Sequence, residues 1–283
     1  MPESKVDMIQ IIRNPLDWEN SLSKEKENLL ETDTIKIKFP TNVVKTYDER
    51  VFKQVPRFDR ISCEQVSTKH VIPQSILANC TGLNLLYAEI DQVIMEFSSK
   101  INVNRDGIPL NSKDNIEKVF EKIRNLNFLD FDPQQLYEQA QVLKVDITKD
   151  VIMNENLQDY FSALNLLTPT VSDKYEVENF KNGICFTSKR KNNKDRIIGY
   201  SKYDELIKPS NQINQNILAV LSEEALNNFK PVVRFERNLT SFGGIRGALD
   251  IKDEKIMLKS VLESRSNPIG DMLSGLSSWL KDS

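Results

Sequence analysis

"QVLKVDITKD", Gln141 to Asp150, is a strand written in alternation. Leu143, Val145 and Ile147 fall on one face, and Lys144, Asp146 and Thr148 on the other. The apolar face needs a core, and the polar face is left for other work. An aspartate in mid-strand is disfavoured, so Asp146 is a candidate for chemistry.

Outward from this strand, the same two periods recur. "TDTIKIKF" (Thr32–Phe39) alternates Ile35, Ile37 and Phe39 with Lys36 and Lys38. "LNLLYAEIDQVIMEF" (Leu83–Phe97) reads as one strand or two short ones. "SKDNIEKVFEKIRNL" (Ser112–Leu126) places Ile116, Val119, Phe120 and Ile123 at helical spacing. "FDPQQLYEQA" offers Asp132 as N-cap and Pro133 as first helical residue. "NENLQDYFSALNLL" predicts a helix with Leu157, Tyr160, Phe161 and Leu164 inward.

Beyond it, "KYEVENFKNGICFTS" and "RIIGYSKYDELI" predict two strands around a loop. "NQNILAVLSEEALNNF" predicts a helix, and "PVVRFERNL" a strand with Val233, Phe235 and Leu239 on its core face. From Thr240 onward the pattern is mostly helical. The expected fold is α+β: a central antiparallel sheet, helices packed on one face, and a mostly helical C-terminal segment. The expected division is an α+β domain over 1–239 and a helical extension over 240–283.

Composition narrows the function. The 283 residues carry 38 Lys and Arg against 41 Asp and Glu, for a net charge of −3. Nucleic-acid binding must therefore come from a local patch. Cys63, Cys80 and Cys185 are odd in number and widely spaced, which argues against a disulfide scaffold or a cysteine zinc site. The polar N-terminus reads as no signal peptide, and no apolar run is long enough to span a membrane. The expectation is a cytoplasmic protein. His70 is the one histidine, so histidine metal sites and most histidine triads are excluded. It reads as a surface or structural residue.

Four features could carry chemistry. The tract "SKRKNNKDR" (Ser188–Arg196) gathers Lys189, Arg190, Lys191, Lys194 and Arg196, a cluster able to neutralise phosphates. It leads into "IIGYSKYDEL", where Tyr200 and Tyr203 bracket Lys202. A tyrosine becomes a nucleophile when a cation or metal lowers its pKa. Strand alternation puts Tyr200, Lys202 and Arg196 on one face. Acids at Glu89, Asp91, Asp146, Asp150 and Glu236 could converge on Mg²⁺ or Mn²⁺; Glu89, Asp91 and Asp150 read as ordinary surface charge. Arg234 and Glu236 share a strand face, as a structural ion pair or as a phosphate contact and a metal ligand. No phosphate loop, dinucleotide fingerprint or zinc motif is present.

In order, "DTIKIKF", "LKVDITKD", "YSKYDEL" and "VVRFERNL" resemble the motif series of phage and plasmid replication initiators of the gene II/X type, which are rolling-circle initiators. The resemblance spans roughly Asp33 to Leu262. It implies a metal-dependent endonuclease and ligase that nicks single-stranded or supercoiled origin DNA, leaving a 5′-phosphotyrosine and a free 3′-OH primer. Tyr200 or Tyr203 would be the nucleophile and Lys202 the transition-state cation. Asp146 and Glu236, helped by Glu89 or Asp91, would hold Mg²⁺ or Mn²⁺. Arg196 and Arg234 would hold phosphates, within a DNA-binding set that includes Lys189, Arg190, Lys191 and Lys194. A host helicase or polymerase would be a further partner. Many such initiators bind metal through a His-hydrophobic-His pair, which this sequence lacks, so carboxylates alone would serve. The alternatives are a non-catalytic nucleic-acid-binding protein on the same scaffold and a structural or interaction protein.

Overall fold

The computed structural model describes residues 10–11, 31–102, 110–153, 156–166, 175–189, 195–209, 218–219 and 222–271. Its contacts divide the chain into two compact units, one of residues 1–31, 146–249 and 265–283, the other of residues 32–145 and 250–264.

The second of these is built on antiparallel strands β2 (Thr32–Pro40), β7 (Gln92–Ser98), β6 (Leu83–Ala88), β5 (Gln65–Val71) and β4 (Lys53–Phe58), paired in that order. A separate two-stranded sheet joins β3 (Val44–Tyr47) to β8 (Leu129–Phe131). The predicted alternation in β2 holds: Ile35, Ile37 and Phe39 are buried. The run from Leu83 is two strands around a turn, and Glu89 and Asp91 sit in that turn, not on a strand face. Helix α1 (Gln74–Leu77) is a single turn between β5 and β6. Helix α2 (Lys113–Arg124) begins at Ser112, whose hydroxyl accepts from Asn115 N. It buries Ile116, Val119, Phe120 and Ile123, as its spacing predicts. Helix α3 (Pro133–Gln139) starts from Asp132, whose carboxylate accepts from Gln134 N and Gln135 N. Phe120 packs edge-on to both Phe97 and Phe131, at 5.7 and 5.9 Å between ring centres.

The first unit holds strands β10 (Tyr175–Phe180), β11 (Gly183–Ser188), β12 (Arg196–Ser201), β13 (Val232–Leu239) and β9 (Gln141–Ile152), neighbours in that order. Of β9, residues 146 onward belong to this unit. The short β1 (Gln10–Ile11) pairs antiparallel with the end of β9. One face of these strands is apolar, with Ile184, Phe186, Ile197, Val233, Phe235 and Leu239 all buried. Helix α4 (Leu157–Leu166) is present as predicted, with Phe161 buried.

Two expectations need correction. "KYEVENFKNGICFTS" is not one strand but a hairpin, β10 and β11, turning at Lys181 and Asn182. "RIIGYSKYDELI" is a strand only to Ser201; Lys202–Leu206 is a short helix. The C-terminal segment is described to residue 271, and over that stretch Phe242–Leu249, Leu258–Leu262 and residues 268–271 are helical. Residues 250–257 lie outside these helices, and residues 272–283 lie outside the described residues. Of the helix predicted from Asn214, the structure describes Glu223–Asn227 as helical. The result is a large antiparallel sheet framework with helices.

Gly199 explains a sequence detail beside the site. A Cβ built there would lie 2.8 Å from Phe235 Cε1 across the strand pair. The glycine lets the Phe235 ring lie flat against β12. Gly199→Val is expected to destabilise the fold by about 1–3 kcal/mol through overpacking. A urea unfolding midpoint equal to wild type would show that the ring has room to move.

Candidate active site

The site forms because β12 and β13 are in a fixed register. Tyr200 lies opposite Arg234, Ile198 opposite Glu236, and Arg196 opposite Asn238. In an antiparallel pair, directly opposed residues share a face. Arg196, Tyr200, Arg234, Glu236 and Asn238 therefore stand together on the face opposite Phe235. On the other side of β12, Cys185 lies opposite Ile198 and Thr187 opposite Arg196.

Tyr200 Oη donates to Glu236 Oε1 at 2.5 Å. Burial pushes the phenol well above its ordinary pKa of 10, the Glu236 charge raises it further, and Arg234 opposes both. In this resting state the phenol keeps its proton. Arg234 takes a partner from another strand. Its Nε and Nη2 donate to the two oxygens of Asp150, each at 2.5 Å. Asp150, which reads as surface charge in the sequence, is only 1% exposed. A planar guanidinium held at two points on a carboxylate is a fixed cation. Asn238 Nδ2 donates to Asp146 Oδ1, so Asp146 on β9 meets the same polar face through β13.

Lys202 reaches the site differently from the way alternation predicts. Ser201 ends the strand and caps the helix, its hydroxyl accepting from Asp204 N at 3.2 Å. The turn of the β10–β11 hairpin braces this switch: Ser201 N donates to Asn182 O at 3.0 Å, and Asn182 Nδ2 donates to Asp204 at 2.6 Å. Lys202 is the first helical residue and only 8% exposed. Its ammonium bonds to Glu205 at 2.7 Å. Burial, and then the neighbouring Arg234 charge, lower its pKa, partly offset by Glu205 and Asp150. A buried cation next to another is costly, and two carboxylates are arranged around the pair to hold it.

Tyr203 is half-buried on the same helix, with the Lys230 ammonium 5.6 Å from its ring centre. Because the strand ends before it, alternation says nothing of its direction. Arg196 is exposed, and its Nε donates to Cys185 Sγ at 3.0 Å. Lys189 is exposed just past the end of β11, and Arg190, Lys191 and Lys194 lie outside the described residues. Glu89 and Asp91 belong to the other unit, where Glu89 pairs with Lys69 at 2.9 Å and Arg57 at 3.5 Å. The structure thus brings together Tyr200, Lys202, Arg234, Glu236, Asp146 and Arg196. It adds Asp150, Glu205 and Asn238, whose roles depend on partners far away in sequence or around a helical turn.

Among the described residues, no group of three or more His, Cys, Asp or Glu side chains is placed to hold a metal ion. Of the acids on this face Asp150 is bonded at both oxygens to Arg234, and Asp146 and Glu236 stand on neighbouring strands. Mg²⁺ is commonly held by one or two carboxylates, with water and substrate phosphate completing its shell. The hydrogen bond from Asn238 to Asp146 is the kind that orients a ligating carboxylate. Carboxylate oxygens are the kind of donor that Mg²⁺ and Mn²⁺ prefer.

Residues 111–246 match the family model described as replication-associated protein G2P, N-terminal. The match supports a role in phage DNA replication. It takes in every residue of the face just described, and it leaves out β2 through β7. No curated protein and no solved structure matches the chain. No helix among the described residues is long and apolar enough to cross a membrane.

Proposed function

We propose that this chain initiates phage DNA replication by nicking one DNA strand, with Tyr200 as the nucleophile. The observation that carries the reading is the Tyr200–Glu236 hydrogen bond on a face shared with Arg196 and Arg234. A nucleophile bonded to a base, beside fixed cations, is the arrangement that covalent phosphoryl transfer needs.

Tyr200 Oη attacks the phosphorus of a phosphodiester, and the bond from phosphorus to the 3′ oxygen breaks. The phenol proton passes to Glu236, which already accepts from it. The departing 3′ oxygen takes a proton from Lys202, whose lowered pKa makes it the readier acid. The products are a 5′-phosphate ester on Tyr200 and a free 3′-OH, from which a polymerase can extend. Arg234, fixed by Asp150, and the exposed Arg196 meet the non-bridging phosphate oxygens. A Mg²⁺ or Mn²⁺ ion, which Asp146 and Glu236 would hold, supplies further positive charge to the scissile phosphate. The substrate is single-stranded or supercoiled origin DNA, and the reverse reaction reseals the strand. Host helicase or polymerase would act on the product, in the bacterial cytoplasm.

The test is a denaturing gel after mixing the protein with end-labelled single-stranded phage origin DNA and Mn²⁺. A protein–DNA adduct is expected with the ion and none with EDTA. Glu236→Gln is expected to slow its formation by about 10²–10⁴-fold, the usual range for loss of an acid–base group. Adduct formation that survives both EDTA and Glu236→Gln at full rate would rule the mechanism out.

A further inference from the structure

The single histidine has a place that the site above does not use. His70 lies on β5, beside a cavity of about 1020 Å³ wholly within the second unit. The cavity is lined by β3 with Leu129 of β8, by β5, and by the turn between β6 and β7. Tyr47 is its exposed ring, at 42% exposure. It meets Phe52 and His70 edge-on, at 5.6 and 6.1 Å between ring centres. Gln65 and Thr68 add amide and hydroxyl groups to the lining, and the exposed Lys45 stands at its rim. The one acid on the wall, Glu89, is already neutralised by Lys69 and Arg57. The β4–β5 hairpin leaves large apolar side chains in water, Phe58 at 55% and Ile61 at 95%.

An exposed tyrosine ring, hydrogen-bonding side chains and a lysine around one cavity match what a base with its phosphate needs. A ring face stacks any base, and short polar side chains satisfy the base edge. A protein partner would leave the polar lining unexplained, and a lipid surface would leave the cavity unexplained. Apart from Leu129 on β8, the lining lies outside the residues that match the replication family, so the site is additional to Tyr200.

We propose that this cavity holds a nucleobase of single-stranded DNA against Tyr47 and His70, with Lys45 on the adjoining phosphate. The proposal rests on the preceding reading only for the identity of the ligand as single-stranded DNA. It places part of the strand's binding energy on a unit that does no chemistry.

The experiment measures fluorescence anisotropy of a labelled oligothymidylate with the full chain in EDTA. No cleavage is expected there, so failure of covalent capture at Tyr200 leaves this measurement standing. Tyr47→Ala is expected to weaken binding by about tenfold or more, and Tyr47→Phe to keep it, since the ring is what stacks. Lys45→Ala, at an exposed position, is expected to lower the slope of log affinity against log salt by about 0.7. An oligonucleotide carrying 5-iododeoxyuridine is expected to crosslink to the peptides bearing Tyr47 or His70. The proposal is overturned by wild-type affinity in both Tyr47→Ala and Lys45→Ala. It is equally overturned if thymidine monophosphate competes as well as the oligomer, which would make this a free-nucleotide site.

Discussion

Tyr200→Phe is expected to abolish covalent capture of single-stranded origin DNA, while Tyr203→Phe leaves it near wild type. The ring of Tyr200 and its packing survive the change; only the attacking oxygen and its bond to Glu236 are lost. Loss of a covalent nucleophile elsewhere costs on the order of 10⁶-fold in rate, so no adduct should be visible. Tyr203 is set apart by the strand ending at Ser201. Its ring faces Lys230, and a phenylalanine keeps that contact. The same gel reports both variants, and the opposite ranking would move the nucleophile to the helix.

Arg234→Ala is expected to have the largest effect on stability. It strips the partner from Asp150, which is 1% exposed and bonded at both oxygens. Removing one member of a buried pair costs about 3–5 kcal/mol, because the other charge is left without compensation. Replacing both, as Asp150→Leu with Arg234→Met, should recover most of that loss, since a packed apolar pair is often neutral against a buried ion pair. The double variant would fold but should fail to capture DNA. Denaturant melts of the three proteins check the claim, and additive losses would contradict it.

Much of the scaffold is legible in the sequence because local pattern and tertiary burial agree. β2 and β13 alternate, β9 buries Val145 and Ile147 but not Leu143, and helix Lys113–Arg124 carries both its cap and its apolar stripe. The β4–β5 hairpin is not legible, for a physical reason. β4 is an edge strand with Pro56 inside it and every residue exposed, so no core writes a period into it. The β10–β11 hairpin reads as one strand because the turn at Lys181–Asn182 interrupts the pattern only briefly. Ser201 is both the last strand residue and a helix cap, and only the hydrogen bond to Asp204 N separates those readings.

The residue types of the site are legible, but their pairing is not. Arg234 and Glu236 are two apart on one strand and invite an ion pair with each other. Each takes a partner from another strand: Asp150, 84 residues away, and Tyr200, 36 away. Likewise Asp146 is met by Asn238, 92 residues distant. Sequence separation of that size leaves no local signal. The placing of β13 between β12 and β9 decides it, and that placing is a property of the folded sheet.

The central claim is that one oxygen, Tyr200 Oη, becomes bonded to DNA. The most direct measurement is mass spectrometry of the nuclease-trimmed, protease-digested adduct formed with Mn²⁺. The account predicts a residual nucleotide joined through a 5′-phosphate to Tyr200. A nucleotide on Tyr203, on any other residue, or on none would contradict it.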